Sequence, residues 1–181
     1  MPQDILENPI RGVVGMESID LLSVLGLIPH PLVIVTAGDP DKPSERGGMV
    51  AAWLTRVSWD PPLLAVSISQ KRFTYQLIKK YKGFAVHPVA SGIEEKVVDV
   101  FGSLSGRNAD KFALLGVKPL RAKRIVAPIL PNAPLTIECE YVDEVKAGDH
   151  QLIIARVVDA YGSTTFKPLV YRRDVFAESP V

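Results

Sequence analysis

The stretch SISQKRFT, residues 67–74, sets Ser67, Ser69, Lys71, Arg72 and Thr74 between an apolar run, PPLLAV, and YQLIKKY, whose apolar residues recur at helical spacing. A strand that ends in a short polar loop and feeds a helix start makes an anion site. The first helical N–H groups lack internal partners, and the helix dipole places positive potential there. Ser67, Ser69 and Thr74 hydroxyls with the Arg72 guanidinium would complete a phosphate cradle. The same residues also fit a plain reading, a Thr74-capped helix behind a solvated basic loop, and spacing alone does not separate the two.

Of three histidines, His30 lies between prolines and His87 precedes Pro88; both read as structural. His150 follows Gly148-Asp149 ahead of a strongly apolar stretch, where an imidazole either serves the turn or donates to a ligand. Metal chemistry has no sequence support: there is no HExxH spacing and no acidic calcium loop. GxSxG and GxxxxGK[ST] are absent, and GGMVAA lacks the third glycine of a dinucleotide fingerprint. Glu94-Glu95 suits a helix N-terminus. Trp53 and Trp59 serve equally well as core, interface or stacking residues.

The elements that must position these groups are short. Fifteen prolines and thirteen glycines punctuate the chain, which predicts many short strands rather than a helix bundle. Strands are predicted at 32–37, through MVAAWLTRVSW, in LLAVSIS, GFAVHP and LTIECEY, through HQLIIARVVDAYG, and in KPLVYRRD. In LTIECEY, Leu135, Ile137, Cys139 and Tyr141 alternate with Thr136, Glu138 and Glu140, which predicts one wet face. A helix follows Thr74 with Leu77, Ile78 and Tyr81 inward. A second opens on a Ser91–Glu94 capping box with Ile93, Val97, Val98, Phe101 and Leu104 inward. A third starts at Asn108, with Phe112 and Leu115 inward and Gly116 past its end. The sum is a mainly β fold of antiparallel strands with three short helices, a barrel with insertions.

The chain has 181 residues, 47% hydrophobic and 23% charged, with a net charge of +1. That fits a single domain spanning 1–181, its core at about 20–175. The charge gives no argument for nucleic acid. Cys139 is the only cysteine, so no internal disulfide forms. The N-terminal residues lack a signal-peptide layout, and no apolar run reaches the roughly 18 residues of a membrane span; a cytoplasmic protein is expected.

Taken in order, HPLVIVTAGD, GGMVAAWLTRVSWDPPLLAVSISQKRFTYQLIKKYKGFAVH, SGRNADKF, GDHQLIIARVVDA and PLVYRRD resemble the flavin reductase-like family. The resemblance covers about 31–172. It implies an FMN-binding split β-barrel of antiparallel, Greek-key type, a homodimer, and NAD(P)H-dependent passage of hydride to flavin and on to an acceptor. It also implies that the flavin phosphate sits at the loop of Ser67, Ser69, Arg72 and Thr74. Met49, Val50, Ala51, Ala52 and Trp53 match the strand that lines the flavin ring with backbone groups. Gly48 and Val50 stand where members often carry Asn and Thr. His150 matches the family's GDH histidine near the flavin, and Ser105 a loop near its exposed side. No catalytic acid or base is required, because the cofactor carries the hydride chemistry. The alternative on the same fold is an FMN electron carrier or redox sensor without enzyme activity.

Overall fold

The computed structural model describes residues 18–91, 93, 95–172 and 175–178. Its elements are α1 (Leu21–Leu25), β1 (His30–Pro31), β2 (Val33–Gly38), β3 (Arg46–Ala51), β4 (Leu54–Ser58), β5 (Leu63–Ile68), α2 (Phe73–Tyr81) and β6 (Gly83–Pro88). They continue with α3 (Glu95–Ser103), α4 (Lys111–Leu114), β7 (Leu120–Arg121), β8 (Pro128–Ile129), β9 (Leu135–Ala147), β10 (His150–Gly162), β11 (Leu169–Arg172) and β12 (Val175–Glu178). No helix among the described residues is long and apolar enough to cross a membrane.

Seven strands form one sheet in the order β3-β2-β6-β9-β10-β5-β4, every pair antiparallel. Its outermost strands, β3 and β4, are neighbours in sequence. Only Ala52 and Trp53 separate them, and two residues span at most about 10 Å from Ala51 to Leu54. The sheet must therefore coil until its two edges meet at this corner. The Trp53 carbonyl accepts from Ser67 N at 2.9 Å, so the chain has crossed to the β5 side by residue 53. No ladder joins β3 to β4 among the described residues; the barrel is split there. The single extended stretch expected over MVAAWLTRVSW is thus two strands on opposite edges of the sheet.

Alternation along β2 explains the layers. Val33, Val35 and Ala37 enter the barrel interior with Val66, Ile68, Phe84, Val86, Cys139, Ile153 and Ala155. Leu77 and Ile78 of α2 join that interior, so α2 plugs the barrel. Ile34 points the other way, into a second cluster with Phe101 of α3 and Phe112 of α4. Both faces of β2 are covered, which is why all six of its residues are buried.

Three expectations from periodicity fail for tertiary reasons. Leu104 lies beyond α3 and is 43% exposed. The third helix starts later than Asn108: Asp110 is its cap, accepting from Phe112 N at 3.1 Å. Glu94 lies outside the described residues, so the proposed capping box does too. The face of β9 expected to be wet is closed at Thr136 and Glu138, which are buried, while Glu140 stays partly exposed. Glu138 accepts from the backbone N–H groups of Lys123 and Arg124, each at 2.7 Å, and from the Tyr161 hydroxyl at 2.9 Å. The 122–127 connection folds down over this face and supplies the donors a buried carboxylate requires.

Thr136 meets His87, which is 1% exposed. Thr36 donates to the Pro128 carbonyl at 2.5 Å, so its oxygen is left to accept from His87 Nε2–H at 3.1 Å. His87 Nδ1 then accepts from the Thr136 hydroxyl at 3.2 Å. This satisfies a neutral imidazole, and burial pushes its pKa down to about 3. His87 is structural, as its place before a proline indicated.

The plug and the exposed leucine make a contrasting pair. Replacing the fully buried Ile78 with Ala should cost about 2–5 kcal/mol, from lost burial and the cavity left behind. Leu104→Ala should stay within about 0.5 kcal/mol. Urea unfolding of the two variants beside wild type measures both.

Candidate functional site

A cavity of about 470 Å³ opens where β3, the β5–α2 loop, the α3–α4 loop and the β9–β10 turn come together. Gly48 and Met49 form one wall; Ser69, Lys71, Arg72, Phe73 and Thr74 form another. Residues 101–107, with Lys111, close a third side, and Asp149 and His150 a fourth. The coiling of the sheet brings these four segments together from four distant parts of the sequence.

Among the residues singled out from sequence, Met49, Ser69, Arg72, Thr74, Ser105 and His150 line this cavity. Val50 packs outward against the α3–α4 cluster, and Ala51 belongs to the barrel interior. Ala52 and Trp53 form the corner link. The exposed Trp53 ring lies 5.0 Å from that of His150, tilted by 52°, at the edge of the site. Ser67 is held in β5 and is not part of the cavity wall.

The helix start differs from the sequence expectation in a way that matters chemically. Thr74 is buried within the first turn of α2 and does not cap it. Arg72 occupies the cap position, and no side chain caps the helix. The Ser69 carbonyl accepts from Arg72 N at 3.0 Å, closing the turn that leads in. An uncapped nine-residue helix whose first residues, Phe73 and Thr74, face a cavity offers N–H donors and dipole potential to an anion.

Lys111 was not expected from sequence. Its side chain is almost fully buried, and its ammonium donates to the Gly48 carbonyl at 2.8 Å and the Phe101 carbonyl at 3.0 Å. It thereby ties β3 to the last turn of α3, where a cation also suits the carbonyl end of the helix. Burial first, then the Arg72 charge, pushes its pKa down to about 8. Its position is fixed by Asp110, which caps α4 and pairs with Arg46 through two bonds, 3.2 Å from Nε and 2.5 Å from Nη2. The one sequence signal was a lysine between a capping aspartate and a core phenylalanine.

Arg107 was also missed, and Lys71 was read as a loop donor but not assigned to the site. Arg107 donates to the Lys71 carbonyl at 2.9 Å and lies 5.8 Å from the Phe73 ring centre. Gly106 allows this approach, since a Cβ there would meet Phe73 at 2.8 Å. Opposite them, Asp149 Oδ1 lies 2.8 Å from His150 Nδ1. Hydrogen bonding and charge from His150 hold the Asp149 carboxyl below its usual range. Cys139 takes no part: it is buried in the barrel, and burial, then Glu138, pushes its thiol up to about 12.

The cavity wall therefore carries Lys71, Arg72, Arg107 and Lys111 against a single carboxylate, Asp149. None of these four cations is in an ion pair among the described residues. A cavity with this donor set suits an anionic ligand.

Such an antiparallel split barrel with an uncapped helix start at its mouth defines a class of domain. The chain belongs to the flavin reductase like domain family, whose model matches residues 25–179. It is 29% identical over 176 residues to the NADH:riboflavin 5'-phosphate oxidoreductase of Streptomyces pristinaespiralis, covering 96% of this chain and 94% of that one. An uncharacterized protein of Aeropyrum pernix is 30% identical over 169 residues; the match covers 87% of this chain but 61% of that longer relative. Among solved structures, the NADH:FAD oxidoreductase SgcE6 of Streptomyces globisporus, in complex with NAD and FAD fragments, superposes with a TM-score of 0.77. That match is 26% identical and covers 91% of this chain and 98% of the other.

The pKa of Lys111 has a measurable consequence. Its folded value, about 8, lies below the roughly 10.4 of an unfolded lysine. The unfolded chain therefore holds the proton more tightly, and the resulting folding penalty is relieved as pH rises from about 8 to about 10.4. Between pH 7.5 and 9.5, wild type should gain stability relative to Lys111→Met. Urea midpoints of the pair at the two pH values check this, and a constant difference would show Lys111 to be an ordinary exposed lysine.

Proposed function

We propose that this chain is an NAD(P)H-dependent flavin reductase that binds FMN in the cavity beside α2. The observation that carries the reading is the uncapped α2 start opening onto a wall of cations without carboxylate partners. The phosphate is assigned to the α2 amides, Ser69, Arg72 and the Thr74 hydroxyl, with Ser67 supporting the loop from β5. The ring is assigned to the backbone from Met49 to Trp53, the end of β3 and the corner link, between Ser105 and His150. Flavin supplies the hydride chemistry. The chain's own residues hold the phosphate, keep one ring face open to a nicotinamide, and place positive charge near the ring. Lys111 provides that charge, and a buried cation favours a ligand that becomes more negative on reduction. The Asp149–His150 pair bounds the cavity on its polar side. Two relatives that match across most of this chain carry names in the same reaction class, an NADH:riboflavin 5'-phosphate oxidoreductase and a monooxygenase reductase component.

The reading makes the protein a homodimer. Trp53, Val57 and Trp59 around β4 are exposed, as are Leu21, Leu22 and Leu25 of α1, and α1 buries none of its residues. A second copy is assigned to this apolar surface. The expected result of sedimentation at micromolar concentration is twice the 19.8 kDa chain mass; a monomer would overturn the assembly but not the site.

The function is tested by flavin titration and NADH oxidation with FMN present. Arg72→Ala should weaken FMN by about 10- to 100-fold, because a charge-assisted hydrogen bond contributes about 1.5–3 kcal/mol. Riboflavin lacks the phosphate, and its affinity should change little. Equal losses for both flavins, or none for either, would remove the phosphate from this loop. Absence of flavin-dependent NADH oxidation by wild type would remove the reductase reading.

A further inference from the structure

We propose that Glu144 of β9 is a positioning residue for the ligand: through Tyr75 and Lys79 it sets how the first turn of α2 is aimed at the cavity. The inference rests on the phosphate assignment made above for α2. Glu144 Oε1 accepts from the Tyr75 hydroxyl and from the Lys79 ammonium, each at 3.0 Å. Lys79 also donates to the Tyr141 hydroxyl at 2.9 Å. Tyr75 follows Thr74 directly in the first turn of α2, and Lys79 lies one turn later on the same face. None of these four side chains lines the cavity, so whatever they do for a ligand is done through the helix.

The tie supplies what core packing does not. Leu77 and Ile78 anchor α2 in the barrel interior, but apolar contact is non-directional. At about 3.6 residues per turn, the Tyr75–Lys79 face lies roughly a third of a turn from the Leu77–Ile78 face. Contacts on two such faces fix the rotation and tilt of the helix. Rotation and tilt decide where the N–H groups of the first turn, which have no partners within the helix, point. Glu144 itself is placed by pairing with Ile153 of β10. On the other side the ladder from β9 to β6 stops at Glu140, and the Glu144 side chain meets α2 instead.

Stability alone does not account for this arrangement. Glu144 Oε2 is buried with no hydrogen-bond partner among the described residues, and a buried acceptor without a donor is destabilising. Burial, then Glu144, raises the Tyr75 pKa; hydrogen bonds to Tyr141 and then Glu144 raise that of Lys79. Both donors therefore keep their protons at neutral pH. The far end of α2 offers a control, because Glu45 accepts there from Lys80 at 2.7 Å and from Tyr81. That tie is of the same kind but holds the last turn, not the first.

The test measures FMN and riboflavin affinity by flavin fluorescence, and inorganic phosphate affinity by calorimetry. The proteins are wild type, Glu144→Ala, Glu144→Gln, Tyr75→Phe and Glu45→Ala, each with its urea midpoint. Glu144→Ala should weaken FMN and inorganic phosphate by roughly three- to tenfold, with riboflavin within about twofold of wild type. Tyr75→Phe should give a smaller loss of the same pattern, and it decides the question if Glu144→Ala does not fold. Glu144→Gln keeps an oxygen acceptor for both donors and should recover most of the loss. Glu45→Ala should leave FMN within about twofold. The proposal is overturned if FMN affinity is unchanged in both Glu144→Ala and Tyr75→Phe. It is also overturned if riboflavin weakens as much as FMN, or if Glu45→Ala costs as much as Glu144→Ala. A wild type that binds inorganic phosphate in a Glu144-dependent way but binds no flavin would sink the flavin reading and leave the positioning role standing.

Discussion

The fold depends on a connection of two residues. Ala52 and Trp53 join β3 to β4, and those strands are the two edges of a seven-stranded sheet. A flat sheet of seven strands would set its edges nearly 30 Å apart at about 4.8 Å per strand spacing. Two residues cannot bridge that gap. The sheet coils because the chain permits nothing else, and right-handed strand twist makes coiling its natural deformation. Coiling creates an interior, and the interior needs a plug. Leu77 and Ile78 supply it, and so the N-terminus of α2 comes to lie at the barrel mouth. The position of the cavity follows from that closure.

A second constraint acts through charge. A lysine ammonium is costly to bury without an anion, yet Lys111 is buried on two carbonyl groups. The Arg46–Asp110 pair makes this arrangement rigid, because Asp110 both caps α4 and grips the first residue of β3. With Lys111 ionised the cavity wall has a surplus of positive charge; burial first, and the Arg72 charge second, hold the Lys111 pKa down. An anion in the cavity and the protonated lysine stabilise one another, by the same linkage that lowers the pKa. His87 and Glu138 solve the opposite problem. Each is buried with a complete set of partners, which leaves them structural and chemically quiet.

The loops around the cavity are held by contacts that differ in kind. Hydrogen bonding through the Arg107 guanidinium and the close seat of Gly106 on Phe73 join two loops that are far apart in sequence. The His150 side belongs to the tight β9–β10 turn, where Gly148 adopts a φ of +62°. One wall is therefore set by a hairpin, which forms locally, and the other by packing, which does not.

Local pattern was enough for the strands that alternate or run apolar, for the helix after residue 72, and for the donor-rich loop that precedes it. These depend on neighbours in sequence: side-chain periodicity, turn residues and orphan amides all act over a few positions. His150 was legible for the same reason, as a polar residue beside a turn. Tertiary structure decided what local pattern cannot encode. Thr136 and Glu138 alternate as solvent-facing residues do, but a connection 14 residues earlier in the chain covers them. MVAAWLTRVSW reads as one strand, because nothing in its composition reveals that it must serve both edges of a coiled sheet. Lys111 and Arg107 look like ordinary surface cations, since helical and loop spacing say nothing about which carbonyl groups will lie 10, 36 or 63 residues away. The sequence determined which segments are strands, helices and donor-rich turns. Only closure of the sheet decided which of their charges share one cavity, because burial and long-range electrostatics exist only after distant segments have met.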